Sequence, residues 1–363
     1  METRKVQRLG PSTLAMTLPA EWAREQDVEK GDEVTVQESG KGSLAVTPES
    51  ARGEDAEATI HAERLDARET AAASSRATEQ SEPRPEAADA VERAIVGQYV
   101  LGRRVVHVES EDALDSAHIN AVYAAETQLM GLGVVEETPT RITIRCSVDP
   151  EDFDLDNLLE RLENTGSTMR GEAVKALAHG NPDLAQRALN RERQANKIFV
   201  LLLRLIFTAF DDPSLARAVG LSDGFPLVGY RSVAKNLELV ADNAEDIADI
   251  VMETEGHALE VDQGTMRRIR EFTDQVDDVT SSAVRAAVDR DYDATVAVRE
   301  RFAELEDREA EILEDLPEMA NDDLLEVREV LVSLQQSAQY SMRNAEIAAN
   351  LALNEQSDHT TLG

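Results

Sequence analysis

From Asp154 onward the chain carries apolar residues at helical spacing, interrupted only by short breaks. Val233, Leu237, Val240, Ala244, Ile247 and Val251 alternate steps of four and three. Leu324, Val327, Leu331, Leu334, Ala338, Ser341, Ala345 and Ala348 do the same. Such seams predict helices packed nearly parallel or antiparallel in a bundle. Asn181-Pro182-Asp183 predicts the start of a long helix and Asp211-Asp-Pro213 its end. Gly224-Phe-Pro226, Asp262-Gln-Gly264 and Asp315-Leu-Pro317 mark further breaks. The result is six helices of about 20–30 residues, arranged as two three-helix units. An internal repeat at an offset of one hundred aligns Asp246-Ile-Ala248 with Glu346-Ile-Ala348.

The N-terminal fifty residues have a different rhythm. Val6 and Leu9 form a short β-compatible run before Gly10-Pro11, and Leu14, Met16 and Leu18 alternate as in a half-buried strand. Pro19 suits the first position of a short helix bearing Trp22 and Ala23. Val34 and Val36, then Leu44 and Val46, flank the hairpin signal Ser39-Gly-Lys-Gly42. A unit this small needs a partner to complete a core. A further strand falls near Ala58–Ala62, and residues 63–90 lose all apolar periodicity and read as a flexible linker. Residues 91–148 form a small α/β unit. It has a helix end at Ala94–Leu101, a strand at Val105–Val108, a helix over Ala113–Met130 and a hairpin over Val134–Cys146. The expected buried positions of its helix are Ala117, Ile119, Val122, Ala125 and Leu129.

Charge changes the picture of partners. The 363 residues hold 72 Asp+Glu against 37 Lys+Arg, a net charge of −35. Acid-rich, alanine-rich, lysine-poor composition resembles cytoplasmic proteins of salt-accumulating extreme halophiles. It argues against a general polyanion binder. The deficit is uneven, because Arg4, Lys5 and Arg8 leave the first eight residues positive. The single Cys146 excludes an internal disulfide framework and a multi-cysteine metal knuckle, and reads as a buried strand residue. The start of the chain lacks the apolar core of a secretory signal, and the longest apolar run, Ile198–Phe210, is broken by Arg204 and too short for a bilayer. A cytoplasmic location without membrane insertion is the expectation. His107 and His118 stand alone, and His179 and His257 lie near helix ends. No acid–base pair, phosphate loop or nucleophile elbow accompanies them, so an enzyme is not expected.

Arg4-Lys-Val-Gln-Arg8, Ser12-Thr-Leu-Ala-Met-Thr-Leu-Pro-Ala-Glu-Trp22 and Val28-Glu-Lys-Gly-Asp-Glu-Val34 resemble the AbrB/SpoVT swapped-hairpin family of DNA-binding domains. That resemblance implies a homodimer of interleaved hairpins over 1–50, extending to about 62 if the next strand joins it. Arg4, Lys5 and Arg8 would then be doubled and face promoter DNA.

Glu238, Asp242 and Asp246 fall at i, i+4 and i+8, with Asp249 nearby, on one helical face almost opposite the apolar seam. Carboxylates so spaced can hold a hard cation together with acids of a neighbouring helix, Glu192, Glu300 or Glu304. In a chain this acidic, a solvated face is the plain alternative. The stretch Tyr230–Ala248 resembles the E/D-x-x-x-D signature of PhoU-type phosphate uptake regulators, which implies tandem three-helix bundles over 154–356. It also implies a role in phosphate homeostasis, a phosphate transporter or signalling partner, and a divalent metal or iron cluster on the acidic face at Glu238, Asp242, Asp246 and Glu192. The aligned positions of the second repeat, Ala338 and Met342, are not acidic. The fold expected is therefore multidomain: a β-rich swapped-hairpin head, a small α/β unit and an all-α body. Its expected work is regulation of phosphate uptake through promoter DNA, or through protein contact alone with the hairpin serving only to dimerise. Metal storage or metal-dependent catalysis on the acidic stripe is a third reading.

Overall fold

A computed structural model describes residues 3–39, 43–48, 57–65, 86–221, 224–253, 261–315 and 324–354. The expected linker at 63–90 and His257 fall largely or wholly outside these residues. The head comprises β1 (Gln7–Arg8), β2 (Leu14–Ala15), α1 (Ala20–Glu25), β3 (Val34–Ser39) and β4 (Ser43–Pro48). β1 pairs with β2 and β3 with β4, as two separate antiparallel ribbons. Pro19 is the N-cap of α1 rather than its first residue, with extended backbone (ψ 131°). No residue of α1 is buried.

The second unit comprises β5 (Glu57–His61), α2 (Glu86–Val100), β6 (Val105–Glu109), α3 (Ser116–Gln128), β7 (Leu132–Thr138) and β8 (Arg141–Cys146). Its sheet order is β5-β6-β8-β7, with β5 parallel to β6 and the other neighbours antiparallel. β5 is therefore not an extension of the head to residue 62. Ile60 and Ala62 are buried in the core that also holds Val106, Val108, Ile142 and Ile144, and apolar burial decides which sheet takes the strand. On α3 the inward positions are His118, Ala121, Val122 and Ala125, whereas Ala117 and Ile119 are only half-buried. Asp115 caps this helix by accepting from the His118 N–H at 2.8 Å. Gly131 has a positive φ of 71°, and an added Cβ would meet the Val148 Cγ2 at 2.8 Å, so this turn requires glycine.

The body consists of α4 (Leu155–His179), α5 (Pro182–Asp211), the short α6 (Pro213–Ala218) and α7 (Phe225–Glu253), followed by α8 (Gln263–Asp289), α9 (Tyr292–Asp315) and α10 (Leu324–Leu353). Asp154, Asn181 and Asp262 cap their helices by accepting backbone N–H groups, which is why the breaks fall where they do. Helices α4, α5 and α7 form one three-helix bundle and α8, α9 and α10 the other. The two meet where α4 and α7 pack on α8 and α10.

The register of the repeat follows from paired side chains. Asn236 donates to Asn344 at 2.8 Å, and Asn243 donates to Ser337 at 3.1 Å. A pseudo-twofold exchanges these two contacts only if residue n of α7 corresponds to n+101 of α10, since 337 − 236 and 344 − 243 agree. The offset is thus 101, not one hundred. An apolar seam tolerates a slip of one in the written sequence, but reciprocal polar contacts do not. The turn between the first two helices repeats at 110, with Gly180 and Arg290 both left-handed at φ 54° and 53°. Six of the nine residues of difference come from α9, which has 24 residues where α5 has 30.

Two apolar cores run through both bundles. Where they meet, polar side chains concentrate: Arg170 reaches from α4 to Asp277 on α8, Asn243 reaches Ser337, and Thr280 shares a hydrogen bond of 2.8 Å with Ser341. The body is docked to the α/β unit through Arg204 of α5, whose guanidinium donates to three carbonyls at the C-terminal end of α2. Among the described residues, no helix is long and apolar enough to cross a membrane.

Candidate nucleic-acid interface and acidic helix face

The head presents both of its chemistries outward. Arg4, Lys5 and Arg8 are exposed at and just before β1, where Arg8 pairs in register with Leu14. Around them the apolar side chains are also exposed: Leu9 to 72%, Leu14 to 65%, Val6 to 63% and Leu44 to 62%. These apolar residues face solvent on two separate ribbons, and a second copy laid against them would bury them and place two basic trios on one dimer.

On the body, Glu238 and Asp242 are half-buried and Asp246 and Asp249 exposed along α7, so the stripe faces away from the seam. Glu192 comes to it from α5. Glu300 and Glu304 do not, because α9 packs on α8 and α10. Sequence reasoning passed over Glu245, one position off the i, i+4 line. Its place beside Glu192 depends on how α5 packs, which periodicity within α7 does not contain.

Burial pushes the Glu245 carboxyl up to about 7, and repulsion from Glu192, Asp249, Asp242 and Asp246 adds to it. Burial followed by repulsion from Glu238 raises Asp242 to about 6, against a smaller pull from Lys235. Glu192 and Asp246 are raised in the same direction, burial leading in both. The Lys235 ammonium forms an ion pair with Glu238 and lies 5.5 Å from the Phe199 ring centroid. Among the described residues, no three His, Cys, Asp or Glu side chains converge closely enough to ligate one ion.

With the corrected register, the second-repeat counterparts of Glu238, Asp242 and Asp246 are Gln339, Arg343 and Ile347 rather than Ala338 and Met342. The acidic face of α7 is therefore not repeated on α10. His107 contacts Thr143 at 3.1 Å, and Cys146 is buried on β8.

Fold and site together describe a multidomain chain, a β-rich head followed by an α/β unit and a helical-bundle body. Residues 159–251 match the family model for the PhoU domain. Residues 7–54 match that for MazE, the antidote-toxin recognition domain of bacterial antitoxins. The chain thus joins an N-terminal MazE/AbrB-like domain to a PhoU domain. Among solved structures, the crystal structure of PhoU from Pseudomonas aeruginosa is similar over 55% of this chain and 96% of that one, at 18% identity and a TM-score of 0.47. No curated protein matches.

Proposed function

We infer that this protein is a regulator of phosphate homeostasis that binds promoter DNA through a dimer of its head and receives its signal through the helical body. The observation that carries the reading is the presence, in one chain, of a PhoU domain and a MazE/AbrB-like domain whose basic residues are exposed. The boundaries that fit it are a head over 1–50, a linker within 63–90, an α/β unit reaching back to β5, and a body over 154–356. A cytoplasmic setting follows from that work. In a salt-rich cytoplasm the Debye length falls to about 3 Å at 1 M, so the acidic body would not repel DNA at a distance. The same salt weakens phosphate contacts through counterion release, which shifts recognition toward base edges and shape.

Replacing Arg4, Lys5 and Arg8 together by Ala is expected to weaken binding to a target promoter about 100-fold or more at moderate KCl. Six phosphate contacts per dimer would carry a slope in log K against log salt of about −5, and the triple variant should lose most of it. Titration by fluorescence anisotropy checks both. Unaltered binding would favour the alternative, in which the head serves only for dimerisation and the body acts by contact with a phosphate transporter or signalling protein.

A bound divalent cation or iron at Glu238, Asp242, Asp246 and Glu192 is a second reading. It is favoured by the repulsion from Glu238 that, after burial, raises Asp242 and that a cation would relieve. It requires side-chain rotation, since Glu238 is held by Lys235. Elemental analysis of protein purified without chelator should then find stoichiometric metal, lost in Glu238→Ala and Asp242→Ala. Metal below stoichiometry and indifferent to both substitutions removes the reading.

A further inference from the structure

Away from the acidic stripe's Glu192 end, α7 and the first half of α10 enclose a groove of about 550 Å³. Its walls carry Ile250 on α7 and Leu325 and Val332 on α10. Leu325 is 66% exposed and Val332 49%, and seven residues separate them, so they lie on one face two turns apart. Along the rims stand Asp246, Asp249 and Glu253 on one side and Glu329 on the other, with Arg328 the one cation of the lining. From Leu325 to Gln336 the groove is about 16 Å long, three turns of helix.

We propose that this groove is a docking site for a basic amphipathic helix of another protein. An apolar floor between two antiparallel helices accepts a third helix by ridge-into-groove packing, as within each three-helix bundle of the body. Anchors at i, i+3 or i+4 and i+7 of the incoming helix would cover Leu325, Ile250 and Val332. Lys or Arg on its flanks would meet Asp249 and Glu253 on one side and Glu329 on the other. Charge selects the source: four carboxylates against one guanidinium line the groove, and the chain itself is at −35, so a second copy meets like charge. The proposal stands whether or not the head reads DNA.

The test uses the full-length protein and three synthetic peptides of about 14 residues, titrated by fluorescence anisotropy. One is a Leu/Lys helix with an i, i+3, i+7 apolar face, one a Gly/Lys peptide of equal charge, and one a Leu/Glu helix with the same apolar face. The Leu/Lys helix should bind at least tenfold more tightly than the Gly/Lys peptide, and the Leu/Glu helix should not bind. The double variant Leu325→Ser, Val332→Ser should abolish the tenfold preference. Both side chains are exposed, so the fold is expected to survive, and circular dichroism would verify it. Asp249→Asn with Glu253→Gln should weaken the Leu/Lys helix several-fold and flatten its salt dependence. Equal binding of the two basic peptides, or a preference untouched by the double variant, overturns the proposal. So does self-association that the double variant abolishes, which would assign the groove to a second copy.

Discussion

Arg204→Met is expected to lower the stability of the chain by about 3–5 kcal/mol, the largest loss from any single substitution considered. Arg204 interrupts an apolar run that would otherwise read as continuous core, and only 4% of it is exposed. Its Nη1 donates to the Tyr99 carbonyl at 2.5 Å and to that of Arg103 at 3.1 Å, while Nη2 donates to Gly102 at 3.1 Å. These carbonyls lie at the C-terminal end of α2, where the helix dipole favours a cation, and the Tyr99 carbonyl also accepts from the Gly102 N–H at 3.0 Å. The guanidinium also stacks 4.8 Å from the Tyr99 ring centroid, and the Tyr99 hydroxyl donates to the Met130 carbonyl at 2.9 Å. Methionine would fill the volume but leave three carbonyls without this donor. Arg204→Lys should recover only part of the loss, because a point charge cannot fork toward three acceptors. Denaturant midpoints measure the cost, and hydrogen exchange should quicken in α2 before the rest of the body. A midpoint equal to that of the parent protein would mean that the latch contributes nothing.

The second large effect lies between the two bundles. Arg170 is fully buried, and its Nε donates to Asp277 at 2.8 Å while a second guanidinium nitrogen reaches the same oxygen. Arg170→Met would strand the Asp277 carboxylate in a site whose burial already raises it despite the guanidinium, at a cost of about 3 kcal/mol or more. Adding Asp277→Asn should return much of that cost, because the uncompensated charge goes with it.

Glu163 of α4 faces the same network. Burial pushes its carboxyl up to about 7, against attraction from Arg170 and Arg285 and with repulsion from Asp277 and Glu160. Between about pH 4.5 and 7 the folded state holds a proton that the unfolded chain releases, so stability falls as pH rises through that window. Glu163→Gln should therefore raise stability at pH 8, by on the order of 2 kcal/mol, and flatten the profile between pH 5 and 7.5. A variant less stable than its parent at pH 8 would contradict this sign.

What could be read in the sequence was local. The caps Asn181 and Asp262 place helix starts within a residue because a carboxylate or amide meeting free N–H groups is a short-range event. The acidic stripe was legible for the same reason: 100° per residue is fixed whatever the neighbours do. The partner of β5 was not legible, since pairing with β6 spans a segment of more than forty residues that carries no register signal. Arg170 and Asp277, 107 residues apart, were equally invisible, as was the reversal that turns Arg204 toward α2. The one-residue error in the repeat offset has a physical origin too. Helical seams repeat every three or four residues, so an alignment by Ile-Ala pairs finds a near match, whereas Asn236 and Asn344 must touch.

The central claim is that one chain couples a DNA-reading head to a phosphate-responsive body. Genome-wide DNA occupancy of the protein, compared between phosphate-rich and phosphate-poor growth, tests it most directly. Enrichment at promoters of phosphate uptake genes, changing with phosphate supply and lost in the Arg4, Lys5, Arg8 triple alanine variant, is the expected result. Absence of enrichment anywhere in the genome under either condition would contradict it.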